Sequence, residues 1–245
     1  MKNNLIPKVI HYSWFGNKKL PEIATKCLKS WKKHCPDYEI MFWNESNFKY
    51  SDNEYLTNTY NLGLYSKFNN YARLQIINAH GGIYLDIDVE IIKPLDELLL
   101  NKAFVGFESE NFINTGNGFG SIPNNPLLSY ILDAYDSMGS EIKTINFFKE
   151  NSPTIETRLL AERGLKKKNI LQDVGYFKVL PTEYLCPSKI SNGYYRITEN
   201  TFSIHHKIGS WLTYNQRFKL FTYKILVFIF GEKNLSRFNN YKSKV

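Results

Sequence analysis

Apolar positions along the chain switch repeatedly between a two-residue and a three-to-four-residue spacing, and that switching predicts the elements. Val9-Ile10-His11-Tyr12 reads as a strand closed by Trp14-Phe15-Gly16. Ile23, Ala24, Cys27, Leu28 and Trp31 then recur at helical spacing, with Pro21 near the first turn. Glu39 to Trp43 reads as a second strand, closed by Asn44-Glu45-Ser46. A second helix is expected over Lys67 to Ala79, turning Phe68, Ala72, Ile76 and Ala79 inward and ended by Gly81-Gly82. Strand-like runs follow at Ile83 to Asp86, Val89 to Ile92, Phe104 to Phe107 and Phe119 to Ser121. Helices are expected over Pro126 to Ser137 and Thr154 to Arg163, and a last strand over Thr201 to His205, running into Ser210-Trp211. Strand–helix alternation in the first half predicts an α/β sheet with its site at strand ends. With no internal repeat and no low-complexity linker, residues 1–211 read as one domain.

Charge separates the remainder, residues 212–245. Eight basic residues and one acid, Glu232, lie between Lys207 and Val245, a net +7 out of the chain's +8. A nucleic-acid binder would spread such charge over a folded face, so no nucleic-acid partner is expected. The segment 218–230 (FKLFTYKILVFIF) is the most apolar in the chain but, at about 13 residues with two lysines, falls short of the roughly 20 a spanning helix needs. A basic amphipathic helix lying on an anionic membrane surface fits it, as does a buried helix closing the core. The first of these implies a peripheral position at the inner face of the cell membrane. Met1 to Pro7 lacks the apolar run of a signal peptide. Cys27, Cys35 and Cys186 form no CxxC pair, which suits a reducing cytosol, and His34-Cys35 reads as packing rather than ligation.

The chemistry concentrates at Gly81-Gly82-Ile83-Tyr84-Leu85-Asp86-Ile87-Asp88. On an extended segment, side chains two residues apart point the same way, with Cα atoms about 6.6 Å apart. Asp86 and Asp88 would then reach toward one hard cation, and Tyr84 would share their side. Mn²⁺ or Mg²⁺ is commonly held by one or two carboxylates plus substrate phosphate oxygens, so the pair suits a metal–diphosphate.

Ile6-Pro7-Lys8-Val9-Ile10-His11-Tyr12-Ser13-Trp14-Phe15-Gly16 resembles the opening strand of the glycosyltransferases with a DXD sugar-binding region. These are the family 32 enzymes of capsular polysaccharide and yeast mannan synthesis, distantly related to the glucosylating clostridial toxins. Further matches follow in order: Ser30-Trp31 with Pro36 to Glu39, Tyr71-Ala72-Arg73-Leu74, Gly81 to Glu90 with Lys93-Pro94-Leu95, and His205-His206 with Gly209-Ser210-Trp211. The resemblance implies a GT-A fold, that is, a Rossmann-like mixed sheet flanked by helices. It also implies a nucleotide-sugar donor, a divalent cation (Mn²⁺ or Mg²⁺) and retention of anomeric configuration. Trp14 would lie against the donor base, Arg73 against the donor sugar or phosphates, and Tyr84 against the donor. Asp88 would coordinate the metal, Asp86 would bridge ribose and metal, and one of His205 and His206 would complete the shell. Ser210 and Trp211 would close over the leaving diphosphate. Where relatives commonly carry an aspartate that grips a donor-sugar hydroxyl, this chain has Asn70, which keeps hydrogen-bonding capacity but no charge.

The expected activity is metal-dependent transfer of a hexose, from a UDP-hexose first and GDP-mannose second, to a bacterial surface glycan such as a lipid-linked repeat unit. Glu108, Glu110 and Asn117 are candidates for the acceptor side. Two alternatives stand. One is a carbohydrate-binding protein of the same fold without turnover; the other is a haloacid-dehalogenase-type phosphatase with Asp86 as nucleophile, because Asp86-Ile87-Asp88-Val89 also fits D-x-D-x-[TV].

Overall fold

Parallel pairing of β1 (Val9–Ser13) with β2 (Glu39–Trp43) starts the sheet, in register from Val9 opposite Glu39 to Ser13 opposite Trp43. The computed structural model describes residues 5–139, 150–190 and 193–209. The chain divides into two compact units, Met1–Lys207 and Ile208–Val245, and the first carries all that follows.

On its other edge β1 takes β3 (Gly82–Tyr84), again in parallel. The sheet continues through β6 (Phe119–Ser121), β5 (Ala103–Gly106), β8 (Phe177–Leu180) and β7 (Gln172–Val174), in the order β2-β1-β3-β6-β5-β8-β7. Only β6 and β7 run against the rest. This is the mixed, mostly parallel α/β sheet that the alternation predicts.

Helices cover both faces, and strand alternation sorts the core between them. Ile83 and Leu85 join Ile10, Tyr12 and Trp31 of α1 (Ile23–His34) on one face. Tyr84 goes to the other, with Phe119, Phe68 and Ala72 of α3 (Tyr65–His80), and the layer behind includes α2 (Glu54–Asn61) and α4 (Pro126–Ser137). Cys35 packs in the first cluster, as the packing reading of His34-Cys35 expects.

Both ends of β3 are held by polar side chains. At its start Gly82 has φ +96°, and a Cβ there would come within 2.8 Å of Val9 O and 2.9 Å of His11 Nε2. His11, buried, donates from Nε2 to Gly81 O (3.0 Å) and accepts from Trp43 Nε1 at Nδ1 (3.0 Å). At its far end the chain leaves the sheet after Tyr84 and turns, with Val89 N donating to Asp86 O (3.0 Å). It then forms β4 (Val89–Ile91), which pairs antiparallel with β9 (Ser203–His205) in a separate two-stranded sheet. The Ser30-Trp31 pair anchors this small sheet: Trp31 Nε1 donates to Val89 O (2.7 Å) and Ser30 Oγ accepts from Ile91 N (3.0 Å).

Several expectations need correction. The strand at Ile83 to Asp86 stops at Tyr84, so the two aspartates lie in a turn rather than on one strand face. Ala79 is exposed on the last turn of α3. The helix expected from Thr154 begins two residues earlier, as α5 (Ser152–Ala161), because Asn151 caps it by accepting from Thr154 N. α2, the β7–β8 hairpin and α6 (Thr182–Leu185) are short elements that the sequence reading does not include. Ser210, Trp211 and the segment 218–230 lie outside the described residues. Among the described residues, no helix is long and apolar enough to cross a membrane.

Candidate active site

The turn after β3 and the end of β9 bring three ligating groups together. A carboxylate oxygen of Asp86, one of Asp88 and a ring nitrogen of His205 all lie within 4.8 Å of one another. Pairing of β4 with β9 sets this up, placing Val89 opposite His205 one residue beyond Asp88. His205 Nε2 is 3.2 Å from Asp88 Oδ1, and its other nitrogen, Nδ1–H, donates to Asn117 Oδ1 (2.7 Å). Of the two adjacent histidines, His205 joins this cluster, while His206 points the other way, 2.9 Å from Glu90 Oε2, which Lys26 also holds at 2.7 Å.

Burial and charge act against each other throughout the cluster. Burial works against a charged His205, but the neighbouring Asp88, Cys186 and Asp86 prevail, pushing it up to about 10. Burial raises the Asp86 carboxyl above its usual range, opposed chiefly by Arg73, and Asp88 adds to the rise. Arg73 is 5% exposed and has Nη1 3.6 Å from Asp86 Oδ2. Its Nη2 donates to Asn70 Oδ1, its Nε to Asn69 O (3.3 Å), and its guanidinium lies 5.5 Å from the centre of the Tyr84 ring.

Buried polar atoms without a hydrogen-bond partner are rare in folded proteins, and each calls for an explanation. Arg73 Nη1, Asn117 Nδ2 and His205 Nε2 are three such atoms, all in this cluster. A divalent cation fits the donor set: two carboxylates and an imidazole whose second nitrogen is already engaged, as metal-bound histidines generally require. Gly116 allows the close approach on one side, since a Cβ there would lie 2.5 Å from Arg73 Nη1 and 2.6 Å from Asp86 Oδ2.

The other sequence candidates differ in burial and partners. Tyr84 is wholly buried, its hydroxyl bonded to Ser13 Oγ (2.7 Å) and Asn69 Nδ2 (3.0 Å), so it supports the site from within the core. Trp14 is half-exposed beyond β1 and donates to Lys18 O (2.6 Å). Glu108 accepts from Asn114 Nδ2 (2.8 Å) and lies 3.8 Å from Lys207, while Glu110 is exposed. Asn117 is buried on His205. Sequence reasoning missed Glu156, a fully buried carboxyl on α5 that accepts from Thr115 Oγ1 (3.0 Å) and Thr115 N (3.3 Å). Burial pushes it up to about 7, against the pull of Arg73. No local motif marks it, because its partners lie 41 residues away.

The family described as "Glycosyltransferase sugar-binding region containing DXD motif" matches residues 21–105. An uncharacterized glycosyltransferase of Acanthamoeba polyphaga mimivirus is 27% identical, over 92% of this chain and 92% of that one. Inositol phosphoceramide mannosyltransferase 3 of Schizosaccharomyces pombe is 32% identical over 52% of this chain, which spans 36% of that protein's length. Among solved structures, the PaToxG glycosyltransferase superposes with a TM-score of 0.52 at 20% identity, over 64% of this chain and 68% of that chain. That likeness is one of fold, and it bears out the GT-A architecture.

Proposed function

We propose that the chain is a glycosyltransferase of the kind with a DXD-containing sugar-binding region, and that it transfers a hexose from a nucleotide sugar to a glycan or lipid-linked glycan, with retention of configuration. The observation that carries this reading is the convergence of Asp86, Asp88 and His205 beside a buried arginine whose Nη1 makes no hydrogen bond. Asp88, Asp86 and His205 would hold the cation, Mn²⁺ or Mg²⁺. When bound, it supplies positive charge against a nucleoside diphosphate.

The side chains do the rest. Arg73 offers Nη1 to the donor beside Asp86, where a charge-assisted bond is stronger than a neutral one. Asn70, its oxygen already taken by Arg73 Nη2, presents its amide N–H to the sugar rather than a carboxylate. Trp14, half-exposed next to β1, is a stacking surface for the base. As the anomeric C–O bond breaks, negative charge builds on the departing phosphate, and donors fixed beforehand lower that barrier. The acceptor oxygen attacks from the face the diphosphate leaves, and its proton passes to a departing phosphate oxygen. Ser210 and Trp211 lie outside the described residues and stay candidates for the diphosphate on the resemblance alone.

The ion pair that Arg73 makes with Asp86 favours a ligand role for that carboxylate over the nucleophile of the phosphatase alternative. Mannose, the second donor candidate from sequence, draws support from the names of two fission-yeast relatives, both inositol phosphoceramide mannosyltransferases. The net +7 between Lys207 and Val245 supports work at an anionic membrane surface, peripherally on the cytoplasmic side. A panel of UDP-hexoses and GDP-mannose, incubated with the protein and Mn²⁺ and assayed for released nucleotide, tests the activity. Chelator-sensitive release from at least one donor is expected. Binding without release, with any acceptor tried, would favour the non-catalytic alternative.

A further inference from the structure

Glu156 lies outside the cluster of ligating groups, yet it is wholly buried and both its oxygens grip one residue, Thr115. Burying a carboxyl is costly, and here the cost falls at the turn Thr115–Asn117. The next residue of α5, Thr157, adds a second hold by accepting from Ile113 N at Oγ1 (3.0 Å). The turn in its own right is poised: Asn114 Oδ1 accepts from Gly116 N (2.7 Å), Gly116 leaves no room beside Arg73 and Asp86, and Asn117 reaches His205. Because an amide oxygen only accepts, its partner must be His205 Nδ1–H, which leaves Nε2 on the side of Asp88.

We propose that Glu156 and Asn117 are positioning residues acting in series: Glu156 fixes the turn through Thr115, and the turn delivers Asn117, which orients His205 toward the cation. Outer partners of this kind orient metal-bound histidines, and losing one typically costs 10–100-fold in metal affinity. The inference rests on the divalent-cation reading above, and its test separates the two.

The probe is Mn²⁺ alone, titrated against the full chain while the electron paramagnetic resonance signal of the free ion is followed. If the wild type leaves that signal undiminished, the cation reading itself fails. With binding in hand, Asn117→Ala is expected to weaken it by about 10–100-fold, and Asn117→Asp, which keeps an oxygen acceptor, to restore most of the loss. Glu156→Ala is expected to weaken it by about tenfold. The double variant should then be no worse than Asn117→Ala, because residues acting in series are not additive. A Glu156→Ala protein with lowered Tm but unchanged Mn²⁺ affinity would overturn the proposal, as would losses that add. Should that variant fail to fold, Glu156→Gln and Thr115→Ala each remove part of the grip. Both should lose affinity several-fold, and wild-type affinity in both would overturn the proposal.

Discussion

The two ends of β3 each carry a buried histidine, and the two are displaced in opposite directions. At the start of the strand His11 has a donor and an acceptor for its two nitrogens, and burial lowers its pKa to about 4. At the far end His205 sits beside two aspartates, its Nε2 3.2 Å from Asp88 Oδ1 but making no hydrogen bond, and its pKa is pushed up to about 10. A saturated polar cluster needs nothing more and holds the fold. An unsaturated one keeps capacity for something absent from the chain itself. Burial is equal at the two ends, so the state of the remaining hydrogen-bonding capacity is what separates structure from function.

The largest expected effect falls on the unsaturated end. Asp88→Asn should lower turnover by about 10³-fold or more, the scale of several kcal/mol of lost charge stabilisation, while Tm changes little. His205 can simply shed its proton in that variant, so no uncompensated charge stays buried. His205→Ala should lose activity by about 100-fold, and His206→Ala, whose partner is Glu90, far less. Steady-state nucleotide release measures all three, and equal losses at the two histidines would erase the distinction drawn here.

At the saturated end the effect should be one of stability. His11→Phe leaves Trp43 Nε1 and Gly81 O without partners, at a cost of about 3 kcal/mol in urea unfolding, with kcat per folded molecule unchanged. The same histidine sets an acid limb. Its folded pKa, about 4, lies below the unfolded value of 6.5, so the unfolded chain takes the proton first. Stability from this group is complete above about 6.5 and is lost as pH falls through about 4, by about 3 kcal/mol in all. His205 has the opposite sign in the metal-free protein, since its raised pKa makes its contribution complete below 6.5 and lost as pH rises through about 10. Denaturation midpoints between pH 4 and 7 should therefore slope in the wild type and flatten in His11→Phe.

How much of this was legible in the sequence follows from how local each signal is. α4 is read to the residue, because Asn125-Pro126 and an apolar stripe mark its start and face. The diglycine and the two aspartates are equally visible. Their geometry is not, because extending the strand through Asp86 assumes that the sheet continues where the chain in fact turns. The adjacent histidines were indistinguishable until the register of β4 with β9 set His205 opposite Val89. Glu156 was invisible for a related reason: a buried carboxylate gives no periodic signal, and its role depends on contacts made across the fold. Asn70 was read correctly as uncharged, but its pairing with Arg73 needed coordinates.

The smallest expected effect concerns that residue. Asn70→Asp replaces the amide beside Arg73 with a carboxylate, and under the proposed donor role donor preference in competition assays should shift by roughly tenfold while Tm hardly moves. An unchanged preference would remove Asn70 from donor selection without touching the cation site.

The most direct test of the central claim is anomalous diffraction at the manganese edge from crystals soaked with Mn²⁺ and a nucleotide sugar. The account predicts one strong peak in contact with Asp88 and His205, beside Asp86, with the diphosphate next to it. A peak at Glu90 and His206 instead, or none near the turn after β3, would contradict it.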